Sequence, residues 1–342
     1  LLDDSAIEQN YFECTVQKIM MMKKINHNLT FGILLGLISS QAAYANPNGA
    51  QVVNGQVNIA HPDPNTLAIT NSNGAIINWQ QFSIQQNEIT KFIQSGATSA
   101  ILNRVVGQDP SAILGQLLSN GRVFLINPNG IVFGPNSIVD TAGLIASTLN
   151  MTDEDFINQN LKFQGENAAD ISSQGYIKAG ANGDVFLIAP NIENSGIIET
   201  DGGQIILAAG ESVIIASLDS DDIVFDVQAP DNEVVNLGEM ITNGSAAKMF
   251  AGTIKHEGSI NANSISVDEN GNVQLFAQAD IEITNDATIT ANGTNGGEIK
   301  IESEEGTVWN SGTIEAIGTE QQGGHVEVLG ERVALLDEAS ID

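Results

Sequence analysis

The side chains of this chain whose type and spacing suit chemistry are carboxylates. Glu302 and Glu304 stand two residues apart, and Asp219, Asp221, Asp222 and Asp226 crowd one short stretch. Two carboxyls held at a fixed separation in a cleft are what glycoside hydrolysis needs, and several aspartate oxygens on one loop are what calcium takes. Neither pattern is specific here. With 42 acidic residues in 342, close pairs arise by chance, and the aspartate stretch has neither the EF-hand spacing nor a glycine-rich calcium repeat. Beyond residue 45 the histidines are His61, His256 and His325, and the single cysteine, Cys14, precedes them. Zinc spacings, phosphate-cradling glycine loops and basic patches do not occur. The chain reads as a non-enzyme with no metal and no cofactor, and a solvated loop is the plain reading of the aspartates.

A turn is more informative. Asn127-Pro128-Asn129-Gly130 divides the apolar run Val123-Phe124-Leu125-Ile126 from Ile131-Val132-Phe133. Pro128 fixes φ and lacks an N–H, the two asparagines can bond their own backbone, and Gly130 supplies positive φ at little cost. The residues by themselves specify a rigid β corner.

The elements around that corner are short Val/Ile/Leu strands in alternation with polar residues, punctuated by Gly and Asn. Glycine-led phrases recur from Gly183, Gly203, Gly271, Gly297 and Gly324, and Asn-containing corners recur at Asn194, Asn285 and Asn310. Phrases spaced by some 20–27 residues point to a repeat architecture. Parallel strands usually need helical crossovers, but a solenoid pairs each strand with the next coil instead. The spacing predicts an all-β parallel β-helix of about a dozen coils, each holding at least two strands. Residues 46–110, with Trp79, Phe82 and Phe92, depart from the rhythm and are expected to cap the exposed end coil, Trp79 and Phe82 packing over the open core. The stretch 111–118 has helix-like spacing. Residues 216–255 break the repeat and predict an extra-helical loop or hairpin. The corner asparagines are expected to stack into ladders.

The N-terminus reads as a processing signal: Lys23-Lys24, an apolar run over 31–38, then Ala43-Tyr44-Ala45 as an A-x-A cleavage site, with Met20, Met21 or Met22 as the expected start. The apolar run is shorter than the roughly 20 residues a permanent span needs, so no integral membrane segment is expected in the mature chain. That mature chain carries no cysteine and rests on packing and backbone hydrogen bonds. After residue 150 there are 34 acidic residues against 6 basic, a net of −28. Such a field opposes nucleic acid and anionic lipid. The last residues fall inside a repeat-like phrase, from which a longer protein is expected.

The ordered motifs Ala75-Ile76-Ile77-Asn78-Trp79-Gln80-Gln81-Phe82, Ile101-Leu102-Asn103-Arg104-Val105-Val106-Gly107, the 127–130 turn and Ala142-Gly143-Leu144-Ile145-Ala146-Ser147 closely resemble the secretion domain of two-partner-secretion exoproteins. This is the filamentous haemagglutinin family, including its high-molecular-weight adhesin branch. The chain departs from many members in having one Asn-Pro-Asn and no earlier Asn-Pro-Asn-Leu. The resemblance implies a right-handed parallel β-helix with an N-terminal β cap, divided into a leader (1–45), a secretion domain (46–215), an extra-helical region (216–255) and acidic repeats (256–342). It implies a secreted or cell-surface protein that passes the periplasm and is recognised by an Omp85-type outer-membrane transporter. A monomer is expected, with a host-surface glycan or protein as the partner of the mature adhesin. For recognition it points to Asn127, Pro128, Asn129 and Gly130, then Asn78, Trp79 and Arg104. Whether those residues are an address or a brace for the cap stays open at this stage. A secretion module for a cytolysin or contact-dependent toxin, and a carbohydrate-active β-helix enzyme, are the alternatives.

Overall fold

Three short strands per turn, separated by sharp corners, wind the chain into a parallel β-helix. The computed structural model describes residues 46–165, 167–215, 223–226 (backbone), 232–264, 270–320, 322–336 and 338–342. The leader, with Ala43 and Ala45, lies outside the described residues, as do Asp219, Asp221 and Asp222. The coils build three long sheets of 11, 9 and 12 strands, and a separate 3-stranded sheet lies outside them. Within the long sheets the pairing is parallel except at the first end. There Gln51–Asn54 runs antiparallel to Ala75–Trp79, and Val57–Asp63 antiparallel to Thr66–Asn71.

Stacking in register fills the interior. On the first sheet one inward column runs Ala75, Ile101, Val123, Leu144, Val185 and Ile205, then continues through Val273 to Ile299. These side chains are buried in one continuous core. Strand residues alternate between faces, so like residues from successive coils meet one above another and close the core without long connections.

The outer face of the first sheet divides the molecule. Its facing column runs Ile76, Leu102, Phe124, Ile145, Phe186 and Ile206, then changes to Lys248, Gln274 and Lys300. The apolar half is covered. Two connections from the first sheet to the second, from Ser147 to Ile171 and from Ala209 to Glu233, carry described elements that lie outside the coils. These excursions supply a short helix, α1 (Asp153–Ile157), and the strands Leu161–Gln164, Ser212–Ile215 and Ile223–Asp226. The three strands pair antiparallel with one another. Met151, Phe156, Phe163, Val213 and Ile215 form a second apolar cluster over the sheet.

Several expectations change accordingly. Strict alternation fails where the sheet is covered on both faces: Val185–Ala189 and Ile205–Ala209 are buried at every position, whereas Asn272–Ala277 alternates. Residues 111–118 are not helical. Ser111–Ile113 and Gln116–Ser119 are strands of the second and third sheets, because a helical turn could not join both ladders. Coil strands begin at Thr66 and resume at Glu233, so the cap is shorter than 46–110 and the stretch outside the helix is shorter than 216–255. Trp79 and Phe82 do not lie over the open end. They sit in the core edge to face, 5.7 Å apart, and the antiparallel strands before them extend the sheets instead.

Candidate functional site

Asn127 follows directly on the last residue of the first-sheet strand Arg122–Ile126, where the chain turns toward the second sheet. Its amide is fully buried and wholly used. Nδ2 donates to the Asp109 carbonyl and to Ser111 Oγ, each at 3.0 Å, on the preceding coil. Oδ1 accepts from the Asn129 backbone N–H at 3.0 Å and from Asn129 Nδ2 at 3.1 Å. Asn129 Nδ2 also reaches the Gly107 carbonyl at 3.0 Å. Gly130 closes the turn on the Asn127 carbonyl at 3.1 Å with φ +113°, the conformation anticipated for a glycine there. The following coil holds the other side, Ala169 N–H donating to the Pro128 carbonyl at 2.9 Å. The turn is thus clamped between its neighbours, and the Pro128 ring is left exposed at the tip with Asn129 half-buried.

The other sequence candidates gather at the same corner on the preceding coils. Asn78 pairs with Arg104, Trp79 with Val105, and Arg104 with Ile126, so all stand on the last rungs of the first sheet. They face opposite ways. Trp79 points inward, 1% exposed, its indole N–H donating to Asn103 Oδ1 at 3.0 Å, and Asn103 donates onward to the Phe124 carbonyl at 3.3 Å. Arg104 points outward and fastens the first excursion. Nη1 meets Asp153 Oδ1 at 2.6 Å, Nη2 the Met151 carbonyl at 2.6 Å and Nε the Asn150 Oδ1 at 3.2 Å, while Nη1 reaches Asn78 Oδ1 at 3.5 Å. The planar guanidinium serves these partners at once as an ammonium could not. Thr152 caps α1 by accepting from Asp155 N–H at 3.0 Å, and Phe156 packs edge to face on Phe124 at 5.1 Å.

Sequence reasoning named the turn and missed its partners. Gly107, Asp109 and Ser111 lie 16–22 residues earlier, and Asn103, an amide at an inward position of a strand otherwise apolar inside, was the available signal for the Trp79 contact. The asparagine ladder is present on the second sheet: Asn194 Nδ2 donates to Asn236 Oδ1 at 2.9 Å, and Asn236 Nδ2 meets His256 Nδ1 at 3.2 Å. Since Nδ2 only donates, Nδ1 accepts, and Nε2–H donates to the Thr288 carbonyl at 3.2 Å. Burial pushes His256 down to about 4, against the weaker pull of these partners. Glu302 pairs with Lys300 at 2.8 Å, both side chains about one-third exposed. Among the described residues no group of three or more His, Cys, Asp or Glu side chains is placed to hold a metal ion. No described helix is long and apolar enough to cross a membrane.

A model of the TPS secretion domain matches residues 43–324. A heme/hemopexin-binding protein of Haemophilus influenzae is 28% identical over 238 residues, 67% of this chain and 24% of its own length. A second protein of that name, also from Haemophilus influenzae, is 33% identical over 135 residues, 38% of this chain and 14% of its own. The chain therefore spans about a quarter or less of the length of these curated relatives. The crystal structure of the HMW1 secretion domain from Haemophilus influenzae superposes with a TM-score of 0.73 at 31% identity, covering 87% of this chain and 98% of that one.

Proposed function

This chain belongs to the TPS secretion domain family, and from that premise we propose that its 127–130 corner is a structural brace with an exposed tip, and that the tip is what the transporter touches. A secretion domain of this family directs export through the periplasm and out by an outer-membrane transporter. We place that transporter in the Omp85 class, and the exported protein among the adhesins and haemagglutinins, with a host-surface glycan or protein as its partner. The likeness to the HMW1 secretion domain over nearly all of that domain supports the adhesin branch.

One observation carries the division of labour. Asn127 is fully buried with both ends of its amide satisfied inside the protein, while Pro128 beside it is exposed. A buried, saturated amide can offer nothing to a partner while the coil is intact. Asn127, Trp79 and Arg104 therefore hold the corner, and Pro128 and Asn129, with Asn78 on the outer face, present it. Each coil emerging from the pore pairs with the last, so folding propagates outward from a nucleus in the first coils, and it opposes backsliding without a nucleotide.

The test compares Pro128→Ser with Asn127→Ala for the fraction secreted and for melting of the purified protein. Pro128→Ser is expected to cut secretion while costing at most about 1 kcal/mol, the entropy a proline saves in the unfolded chain. Normal secretion of Pro128→Ser would remove the tip from the recognition site.

A further inference from the structure

We propose that the corner between the second and third sheets binds a neutral, hydroxyl-rich glycan chain in a trough that runs along the helix axis. The assignment gives the host-glycan reading above a place on this segment, and it does not depend on which residues the transporter reads.

The trough follows from backbone crowding. Gly175, Gly196, Gly238 and Gly258 occupy the corner on four successive coils. A Cβ on Gly196, Gly238 or Gly258 would stand 2.1–2.2 Å from the carbonyl oxygen of the glycine before it. Side chains are thereby excluded from the corner, and an open cavity of about 550 Å³ results. At about 4.8 Å between coils, four corners span roughly 15–20 Å, the reach of a short oligosaccharide. Each floor carbonyl already accepts one ladder bond, those of Gly175, Gly196, Gly238 and Gly258 from Ile197, Glu239, Ser259 and Thr288 N–H at 2.9–3.0 Å, which takes its readiest acceptor position. Recognition thus falls to the walls.

The walls have the chemistry of a sugar-binding surface. Leu237 and Ile197, 41% and 38% exposed, give apolar contact for the C–H face of a pyranose ring. Ser195, Ser259 and Thr288 contribute hydroxyls, and Glu239 and Asp286 contribute carboxylates that accept from paired sugar hydroxyls. The Tyr176 hydroxyl donates to Glu199 and keeps its oxygen lone pairs for a ligand. Among the described residues, the lining holds no lysine or arginine. With carboxylates and no cation, the trough repels sulfated, sialylated or uronic chains, so a neutral glycan is the polymer that fits it.

Purified secreted protein is titrated with maltohexaose, cellohexaose and chitohexaose by saturation-transfer NMR, with the matching disaccharides and heparin alongside. At least one neutral hexasaccharide is expected to bind more tightly than its disaccharide. Ser195→Trp, which fills the trough, and Leu237→Glu, which charges its wall, each weaken that binding by roughly tenfold or more, equivalent to about 1.4 kcal/mol. Glu239→Gln, which keeps the shape, weakens it less. Melting curves identify any variant that fails to fold, and the remaining variants decide. The assignment is overturned if none of the three hexasaccharides binds, if heparin alone binds, or if the folded variants bind as the parent does. Secretion of the variants is measured separately. Normal export with abolished glycan binding separates this site from the transporter's, and normal glycan binding by Pro128→Ser shows the converse.

Discussion

Replacing Asn127 with alanine tests whether the corner is a brace. The substitution removes four hydrogen bonds, the buried one to Ser111 Oγ and three part-buried ones to the Asp109 carbonyl and the two Asn129 donors. At about 1 kcal/mol net for each neutral bond, the loss is about 3–4 kcal/mol, a drop of roughly 6–12 °C in melting temperature for a chain of this size. Ser111→Ala removes one of the four and is expected to cost about 1 kcal/mol. Asn127→Asp keeps the acceptor, deletes both donors and sets a carboxylate against the Asp109 carbonyl, so it is expected to cost at least as much as alanine. Because a stacked solenoid can unfold in pieces, urea and thermal melts are paired with hydrogen exchange. Faster exchange should concentrate in residues 107–131. If Asn127→Ala melts within about 0.5 kcal/mol of the parent, the ordinary scatter of surface substitutions, the brace reading fails and the turn acts by contact with the transporter alone.

Two further outcomes follow from the coil geometry. Gly196→Ala drives a methyl to 2.2 Å from the Gly175 carbonyl and is expected to destabilise by about 1–3 kcal/mol or more. Gly96→Ala, with open space around its Cβ position, is expected to be neutral or slightly stabilising in the same urea melts. His256, neutral and buried with its pKa lowered to about 4 from 6.5, binds fewer protons folded than unfolded. Its contribution is therefore whole above pH 6.5 and is lost as pH falls toward 4, about 3 kcal/mol in all at 1.36 kcal/mol per unit. His256→Asn, which extends the amide column from Asn194 and Asn236, should flatten the stability profile over that window, and an unchanged slope would show that carboxylates govern it.

Much of the repeat was legible because its causes are local. Alternating Ile and Val, a glycine at each corner and an inward asparagine reflect the period of a strand and the sterics of a turn, which neighbours in sequence set. Ile281–Ile283 and Thr288–Thr290 fall where that pattern places them. Where it failed, a distant segment had changed the environment. Gln116–Ser119 carries helix-like spacing but pairs with strands on both sides, and ladder pairing outweighs propensity once the backbone groups are buried. The continuous apolar runs at 185–189 and 205–209 became intelligible only with Leu161–Gln164 and Ser212–Ile215 packed outside them.

The sequence by itself determined the parallel β-helix, the tight 127–130 turn and the concentration of acidic charge after residue 150. Each is written in composition and short-range spacing. Only the tertiary structure decided that Asn127 is spent on Asp109 and Ser111, that Arg104 fastens the α1 excursion, and that four glycines align into a trough. These depend on which residue of one coil lies over which residue of the next. That register is set by excursions of unequal length and by pairing between segments 16–49 residues apart, quantities that no window along the chain contains.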